Sequence, residues 1–125
     1  MNVQINSALK KKVNRFNPRF ISARHEVMAA YNEGMGRNLN FFCTAPLTPA
    51  EAAIIMHEAL RGETYNEFKA DLLLRLPPSA EVYLAREYSV CIYVKGDIKA
   101  PRGFLHDERH VNQPKHEGQT RFWWD

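Results

Sequence analysis

The sequence is poor in cysteine and has no long apolar run, and each absence excludes a class of protein. Only two cysteines occur among 125 residues, too few for a disulfide-stabilised scaffold. Cys43 and Cys91 both lie in apolar, strand-like stretches, so we expect buried, reduced thiols as in a cytosolic protein. The longest apolar stretches, such as "AAII" and "LLL", are far shorter than the ~20 residues that span a bilayer. The opening "MNVQINSALKKK" has no apolar segment of the secretory type, and we therefore expect a cytoplasmic protein.

Acidic residues are missing from the first 24 positions, although the net charge of the whole chain is only +3. The basic residues there are Lys10, Lys11, Lys12, Arg15, Arg19 and Arg24. A basic end on a mildly acidic body predicts a patch for an anionic partner, and the alternative is a partly ordered, solubilising arm over residues 1–16. Phe16 and Phe20 alternate with these cations, as on a nucleic-acid-binding surface. Because both also fit helical apolar stripes, we interpret them as core residues.

Capping signals and apolar periodicity predict four helices. A short one would begin at Ser7 and bury Leu9, Val13 and Phe16. A second would begin at Asn17 and Pro18 and end in the glycines of "EGMG". The third follows the capping box of Thr48 and Glu51, and the fourth repeats that spacing at Thr64 and Glu67 and ends at Pro77.

Several stretches instead have the composition of strands. These are "NVQIN", "NLNFFCTA", "EVYLA", "EYSVCIYVKG" and the tail "RFWWD". Both faces of "EYSVCIYVKG" are apolar, as in a central strand that is covered on both sides. No repeat or flexible linker is visible, and we expect one domain over residues 1–125. The fold class predicted is α+β, with three to four helices packed on one side of a small, largely antiparallel sheet.

Three of the five histidines fall in the segment "HDERHVNQPKH". His106, His110 and His116 have the offsets of the three zinc ligands in the extended metzincin motif, which this segment resembles over eleven residues. The resemblance implies a zinc site, with Asp107 in the place of the general base. The segment departs from the motif, since an aspartate replaces the glutamate and Gln113 stands where the motif has a glycine. In addition, nearby prolines leave barely two helical turns for the first two ligands, and no methionine follows His116. A small zinc-dependent hydrolase is one hypothesis, and exposed histidines in a loop without any cofactor are the favoured alternative.

The tail "GQTRFWWD" carries residue types that dominate protein interfaces. Arg121, Trp123 and Trp124 are therefore candidate partner-binding residues, together with Lys10, Lys11, Lys12, Arg15 and Arg19. In an extended strand Trp123 and Trp124 point to opposite faces, so at most one of them need be core. The alternative is that both close the edge of the core.

The chain shows no nucleophile elbow and no phosphate-binding loop. We therefore favour a non-catalytic binding protein that docks on a nucleic-acid-handling protein complex or on nucleic acid itself, without a membrane. In kind, its polarised charge resembles that of small phage- or plasmid-borne inhibitors, including anti-CRISPR proteins. That resemblance implies action in the host cytoplasm by occupying a nucleic-acid channel or a recruitment surface. The remaining alternatives are direct nucleic-acid binding and the zinc hydrolase.

Overall fold

The computed structural model describes residues 5–31 and 41–125, and it has the predicted α+β architecture. Its helices are α1 (Ser7–Lys11), α2 (Pro18–Tyr31), α3 (Pro49–Ala59) and a 3-10 helix (Ala70–Arg75). Its strands are β1 (Phe41–Cys43), β2 (Val82–Glu87), β3 (Ser89–Lys95), β4 (Glu108–Gln113) and β5 (His116–Trp124). The strands form one antiparallel sheet in the order β1-β2-β3-β5-β4. Within the described ranges, no helix has the length and apolar character needed to cross a membrane.

One face of the sheet is covered by the helices and holds the core. Alternate residues of the central strands point to this face and are almost fully buried: Val82, Leu84, Val90, Ile92, Val94, Phe122 and Trp124. The ring of Trp124 packs edge-on against Phe68, with the ring centroids 4.9 Å apart, and against Phe104 at 5.5 Å. The expectation that "EYSVCIYVKG" forms a central strand buried on both sides is confirmed, and "RFWWD" is the end of β5.

Two of the predicted helix starts are confirmed by their caps. The backbone N–H of Glu51 donates to Thr48 Oγ1 at 3.1 Å, and the N–H of Thr48 donates to Glu51 Oε1 at 2.9 Å. This reciprocal pair is the capping box of α3. At α2, the N–H of Arg19 donates to Asn17 Oδ1 at 3.0 Å, and Pro18 is the first helical residue. The caps fix where the two longest helices begin.

The fourth predicted α-helix is wrong. Tyr65 and Phe68 instead form a two-residue hairpin turn, in which each backbone N–H donates to the other residue's carbonyl. The intervening Asn66 and Glu67 have φ of 46° and 68°, a left-handed conformation that no α-helix continues through. Only the short 3-10 helix follows. The turn is favoured because it buries Phe68 completely against the sheet.

The first predicted helix is shorter than expected, and its apolar stripe breaks at Phe16. Helix α1 is capped by Asn6 rather than Ser7, ends at Lys11, and buries no residue completely. Leu9 packs partly against the core and Val13 is buried, but the side chain of Phe16 is 87% exposed. The interpretation of Phe16 as a core residue is therefore wrong, whereas that of Phe20 is confirmed. Residues 2–4 of the expected strand over 2–6 lie outside the described residues. The expected helix end in "EGMG", residues 33–36, also lies outside them.

Candidate binding surfaces

The N-terminal basic residues divide into two groups according to their partners. The three arginines are held by carboxylates of α3: Arg15 and Arg24 both pair with Glu58, the latter at 2.6 Å, and Arg19 pairs with Glu51 at 3.1 Å. These ion pairs tie α2 and the preceding turn to α3. The arginine charges are thus largely neutralised within the fold.

Lys10, Lys11 and Lys12 differ from the arginines. All three are exposed, and among the described residues none has a carboxylate within 4.0 Å. Phe16 follows four residues after Lys12 with most of its ring in solvent. We call Lys10, Lys11, Lys12 and Phe16 the N-terminal basic surface. It combines positive charge that has no carboxylate partner among the described residues with an exposed aromatic ring. Proteins use these two features to bind single-stranded nucleic acids.

No helix of residues 5–31 or 41–125 covers the second face of the sheet, which is lined by its own side chains. Tyr83 and Trp123 lie half-buried over a small cluster formed by Ala85, Cys91 and Tyr93. The register places these five residues on the side opposite Phe122 and Trp124. We call this the open face. Trp123 is therefore available to a partner, whereas Trp124 is fully buried in the core and is not.

A network of charged and polar groups crosses the open face around Glu87. Arg121 donates to Glu87 Oε1 from Nε at 3.1 Å and from Nη2 at 3.0 Å, while the hydroxyl of Tyr93 donates to Oε2. The indole N–H of Trp123 donates to the backbone carbonyl of Glu87 at 3.0 Å. Arg121 is only 7% exposed, so its guanidinium is a buried partner of Glu87 and not the free hot-spot cation that the sequence suggested.

The network shifts the proton affinities of its members. Desolvation would raise the pKa of Glu87, but hydrogen bonds from Tyr93 and Arg121 outweigh it and hold that pKa below its usual value. Burial raises the pKa of Tyr93, and the hydrogen bond to Glu87 raises it further. Glu87 is thus a carboxylate and Tyr93 a neutral phenol at neutral pH. These hydrogen bonds stabilise the sheet, and they occupy the carboxylate oxygens of Glu87 so that neither is free to accept a proton from a substrate.

The segment of three histidines forms a β-hairpin and not a helix or an irregular loop. His106 precedes β4, His110 lies within β4, and His116 begins β5. A bulge at Asn112, whose φ is 56°, shifts the register near the turn. Sequence reasoning missed this hairpin because β4, the edge strand, and the first half of β5 are polar and lack the apolar alternation that identifies strands.

The hairpin separates the three imidazoles instead of bringing them together. The ring of His106 packs edge-on against Phe122 of the core face and its Nδ1 lies 3.0 Å from the Phe104 carbonyl oxygen. His110 pairs across the strand with Arg121 of the open face, and His116 stacks on Tyr93. Within residues 5–31 and 41–125 no group of three potential ligands converges on one point. The geometry gives no support to a zinc site.

Asp107, the alternative catalytic base, has a structural contact. Its Oδ2 accepts a hydrogen bond from the backbone N–H of Asp125 at 2.7 Å, and its own N–H donates to the Trp123 carbonyl at 2.8 Å. These bonds hold the end of β5 beside the start of β4. The carboxylate therefore fixes the edge of the sheet, a role that its place next to His106 in the sequence did not indicate.

The two cysteines differ in exposure, which corrects one expectation. Cys91 is buried as predicted, but Cys43 on β1 is exposed. Partial burial of the Cys43 thiol and the nearby Glu87 carboxylate raise its pKa to about 11, and burial raises the pKa of Cys91 as well. Both thiols are protonated at neutral pH and are poor nucleophiles in this state.

Sequence reasoning missed Glu87, Tyr93 and Tyr83 as residues of one surface. The signal was present, since Tyr83, Ala85 and Glu87 alternate along β2 and Cys91 and Tyr93 continue that alternation on β3. What the sequence lacked was the register that sets Arg121 opposite Tyr93. Only that pairing shows that the ionic groups neutralise each other.

Comparisons with family models, with curated proteins and with solved structures find no match to this chain. The residues themselves therefore carry the functional argument.

Proposed function

We propose that this protein is a small, non-catalytic binding protein that docks on a nucleic-acid-handling complex through its N-terminal basic surface. In kind it would act like the phage-borne or mobile-element inhibitors, anti-CRISPR proteins among them, that its charge distribution resembles. The partner chemistry is a phosphate backbone, which Lys10, Lys11 and Lys12 would contact while Phe16 stacks on an unpaired base.

One observation carries this proposal, namely the contrast between the lysines and the arginines of the same segment. The fold uses Arg15, Arg19 and Arg24 to tie its helices together, whereas the three lysines find no carboxylate among the described residues. Charge that does not stabilise the fold is available to an anionic partner. The exposure of Phe16 beside this charge supports nucleic acid over a purely acidic protein surface.

The state of the chemically reactive side chains supports a role without catalysis. The pKa of Cys43 is raised to about 11, so its thiol is not a ready nucleophile. The histidines of the hairpin lie on both faces of the sheet and share no ligand geometry. Glu87, the carboxylate at the centre of the open face, is neutralised by Arg121 and is not a free general base.

The test is fluorescence anisotropy of a labelled single-stranded oligonucleotide, titrated with the protein over a range of salt concentrations. Charge reversal of the three lysines to glutamate should weaken binding by about tenfold or more and reduce the steepness of the salt dependence by about two to three counterions. Phe16→Ala should weaken binding without changing the salt dependence, because a stacking contact releases no counterion.

The matched control reverses three other exposed basic residues, Lys69, Lys99 and Arg102, and should leave the affinity nearly unchanged. Equal losses in the two triple variants would mean that net charge alone drives binding, and the proposed surface would be wrong. A pull-down from native extract with and without nuclease distinguishes docking on a nucleic-acid-handling protein complex from binding to nucleic acid alone. Retention of a protein complex after nuclease treatment supports docking on the complex, and loss of all partners supports direct nucleic-acid binding.

A further inference from the structure

The tip of the β4–β5 hairpin folds over the open face of the sheet. Its turn lies at Pro114 and Lys115, and the imidazole of His116 stacks on the ring of Tyr93 with centroids 3.7 Å apart and planes 19° from parallel. Nδ1 of His116 lies 3.0 Å from Gln119 Oε1, which fixes the plane of the ring. Gly118, with φ of +74°, supplies the bend that a β-carbon would oppose.

The folded tip and β1 border a shallow, open cleft of about 540 Å³ on the open face. The side of β1 is formed by Phe41 and Cys43, the floor by Glu87 and Tyr93, and the tip by Lys115 and His116. Clefts that hold small organic ligands have volumes of roughly 300–1,000 Å³ and are mostly apolar with a few polar groups. This cleft has that size and composition.

The charges around the cleft are unbalanced towards positive. Glu87 is the one carboxylate among the described residues that line the cleft, and the double hydrogen bond from Arg121 neutralises it. Arg86 also lines the cleft, but its guanidinium donates to the Ala30 carbonyl and lies over the Tyr31 ring. Lys115 is exposed and has no carboxylate within 4.0 Å in the described part of the chain. The Cys43 thiol, with its pKa raised to about 11, carries no negative charge at neutral pH. An anionic group at the tip side of the cleft would therefore meet attraction from Lys115 and little repulsion.

Aromatic surface faces the same space. The ring of Phe41 is 60% exposed, and Tyr88 supports it edge-on at 4.6 Å. On the other side His116 lines the cleft, and its ring is held by stacking on Tyr93, which is itself buried. Exposed rings that are held by a neighbour lose little entropy when a ligand packs against them. Flat apolar surface and the exposed ammonium group of Lys115 complement a planar ring that carries an acidic group.

We propose that this cleft binds a small planar aromatic anion, that is, a ring system bearing a carboxylate, sulfonate or phosphate. The ring packs between Phe41 and the His116 imidazole, which Tyr93 supports from below, and the anionic group pairs with Lys115. The inference does not depend on the N-terminal basic surface, because none of the residues of the cleft belongs to it.

The test uses 8-anilinonaphthalene-1-sulfonate as the probe and the neutral N-phenyl-1-naphthylamine as its uncharged counterpart. In a fluorescence titration, Phe41→Ala should weaken the binding of both probes by about tenfold, which corresponds to about 1.4 kcal/mol, because it removes an aromatic contact. Lys115→Ala should weaken the sulfonate by about fivefold and leave the neutral probe unchanged. Because both side chains are largely exposed, neither variant should unfold the protein.

The matched controls are Phe16→Ala and Lys99→Ala, which change an exposed ring and an exposed lysine outside the cleft. They should leave the affinity of both probes unchanged. If Phe41→Ala and Lys115→Ala also have no effect, or if the controls have the same effect, the probe binds elsewhere and the inference is wrong.

A second readout locates the probe at the cleft. Because the raised pKa makes the Cys43 thiol slow to react at neutral pH, its modification by N-ethylmaleimide is followed by mass spectrometry at about pH 9, where more of the thiol is ionised. The reaction should slow at least about fivefold at a probe concentration several times its dissociation constant. Cys91 is buried and should remain unmodified with or without probe, which reports that the fold is intact. Cys43 reacting at the same rate with and without saturating probe would contradict the inference.

Discussion

The two faces of the sheet differ in what covers them, although the same strands build both. On the core face, Phe122 and Trp124 are completely buried and pack against Phe104, and Trp124 also packs against Phe68. On the open face, Trp123 is only half-buried, above a layer held together by Glu87 and Arg121. The adjacent tryptophans therefore have opposite roles, one in stability and one at the surface. Aromatic content alone therefore does not locate a binding surface, because the face of the sheet on which a ring lies decides whether a partner can reach it.

The largest effect that separates the faces is expected for the two tryptophans. Trp124→Ala should lower the free energy of unfolding by about 3–5 kcal/mol, because it removes a large, fully packed ring from between Phe68 and Phe104. Trp123→Ala should cost only about 1–2 kcal/mol, for partial burial and one hydrogen bond. Urea unfolding followed by circular dichroism measures both. Similar losses in the two variants would mean that the open face is as tightly packed as the core face.

The next effect concerns the ion pair that holds the open face. Arg121→Met should cost about 2 kcal/mol, less than for a fully buried pair, because the side chain of Glu87 retains 27% exposure. The matched control is Lys95→Met, which breaks the exposed pair with Glu81 and should change stability by less than about 0.5 kcal/mol. The same urea titration tests both, and a neutral Arg121→Met variant would show that the pair does not stabilise the open face.

The pH dependence of stability sharpens the comparison further. The pKa of Glu87 is lowered in the folded state, so its contribution is fully present above the unfolded-state pKa of about 4.3 and is lost as the pH falls through the folded-state pKa. The difference in unfolding free energy between the native chain and Glu87→Gln should therefore be largest near pH 6 and shrink below pH 4. A difference that stays constant between pH 6 and pH 3 would contradict this assignment.

The smallest effect on stability is expected at the N-terminal basic surface. Phe16→Ser should change the free energy of unfolding by less than about 0.5 kcal/mol, because the ring is 87% exposed. Phe20→Ala, four residues later but fully packed, should cost about 3–5 kcal/mol. A large loss in Phe16→Ser would mean that this ring packs in solution and is not free for a partner.

The helix starts at Asn17 and Thr48 could be predicted because capping depends on residues three or fewer positions apart. The fourth helix could not be excluded, since Thr64 and Glu67 have the spacing of a capping box. The burial of Phe68 against Trp124, 56 positions further along the chain, favours the turn instead. The capping patterns predicted the helix starts correctly where the stabilising contacts are local. The same pattern at Thr64 and Glu67 gave a wrong prediction because a contact with a distant residue determines the conformation there.

The candidate surfaces divide in the same way. The sequence identified the basic segment, but only the structure separates the arginines that α3 neutralises from the free lysines. It identified Trp123 and Trp124 as lying on opposite faces, but not which face the helices cover. It missed the cleft entirely, because Phe41 and Lys115 are brought together by the fold of the hairpin over the sheet.

The sequence by itself determined the α+β class, the longest helices, the central strands and the basic segment, because each depends on composition or on short-range periodicity. The tertiary structure alone decided which tryptophan is buried, which cations are free, and that the histidines of the hairpin lie on different sides of the sheet. The physical reason is that burial and charge pairing depend on strand register and helix placement, which bring together residues far apart in the chain.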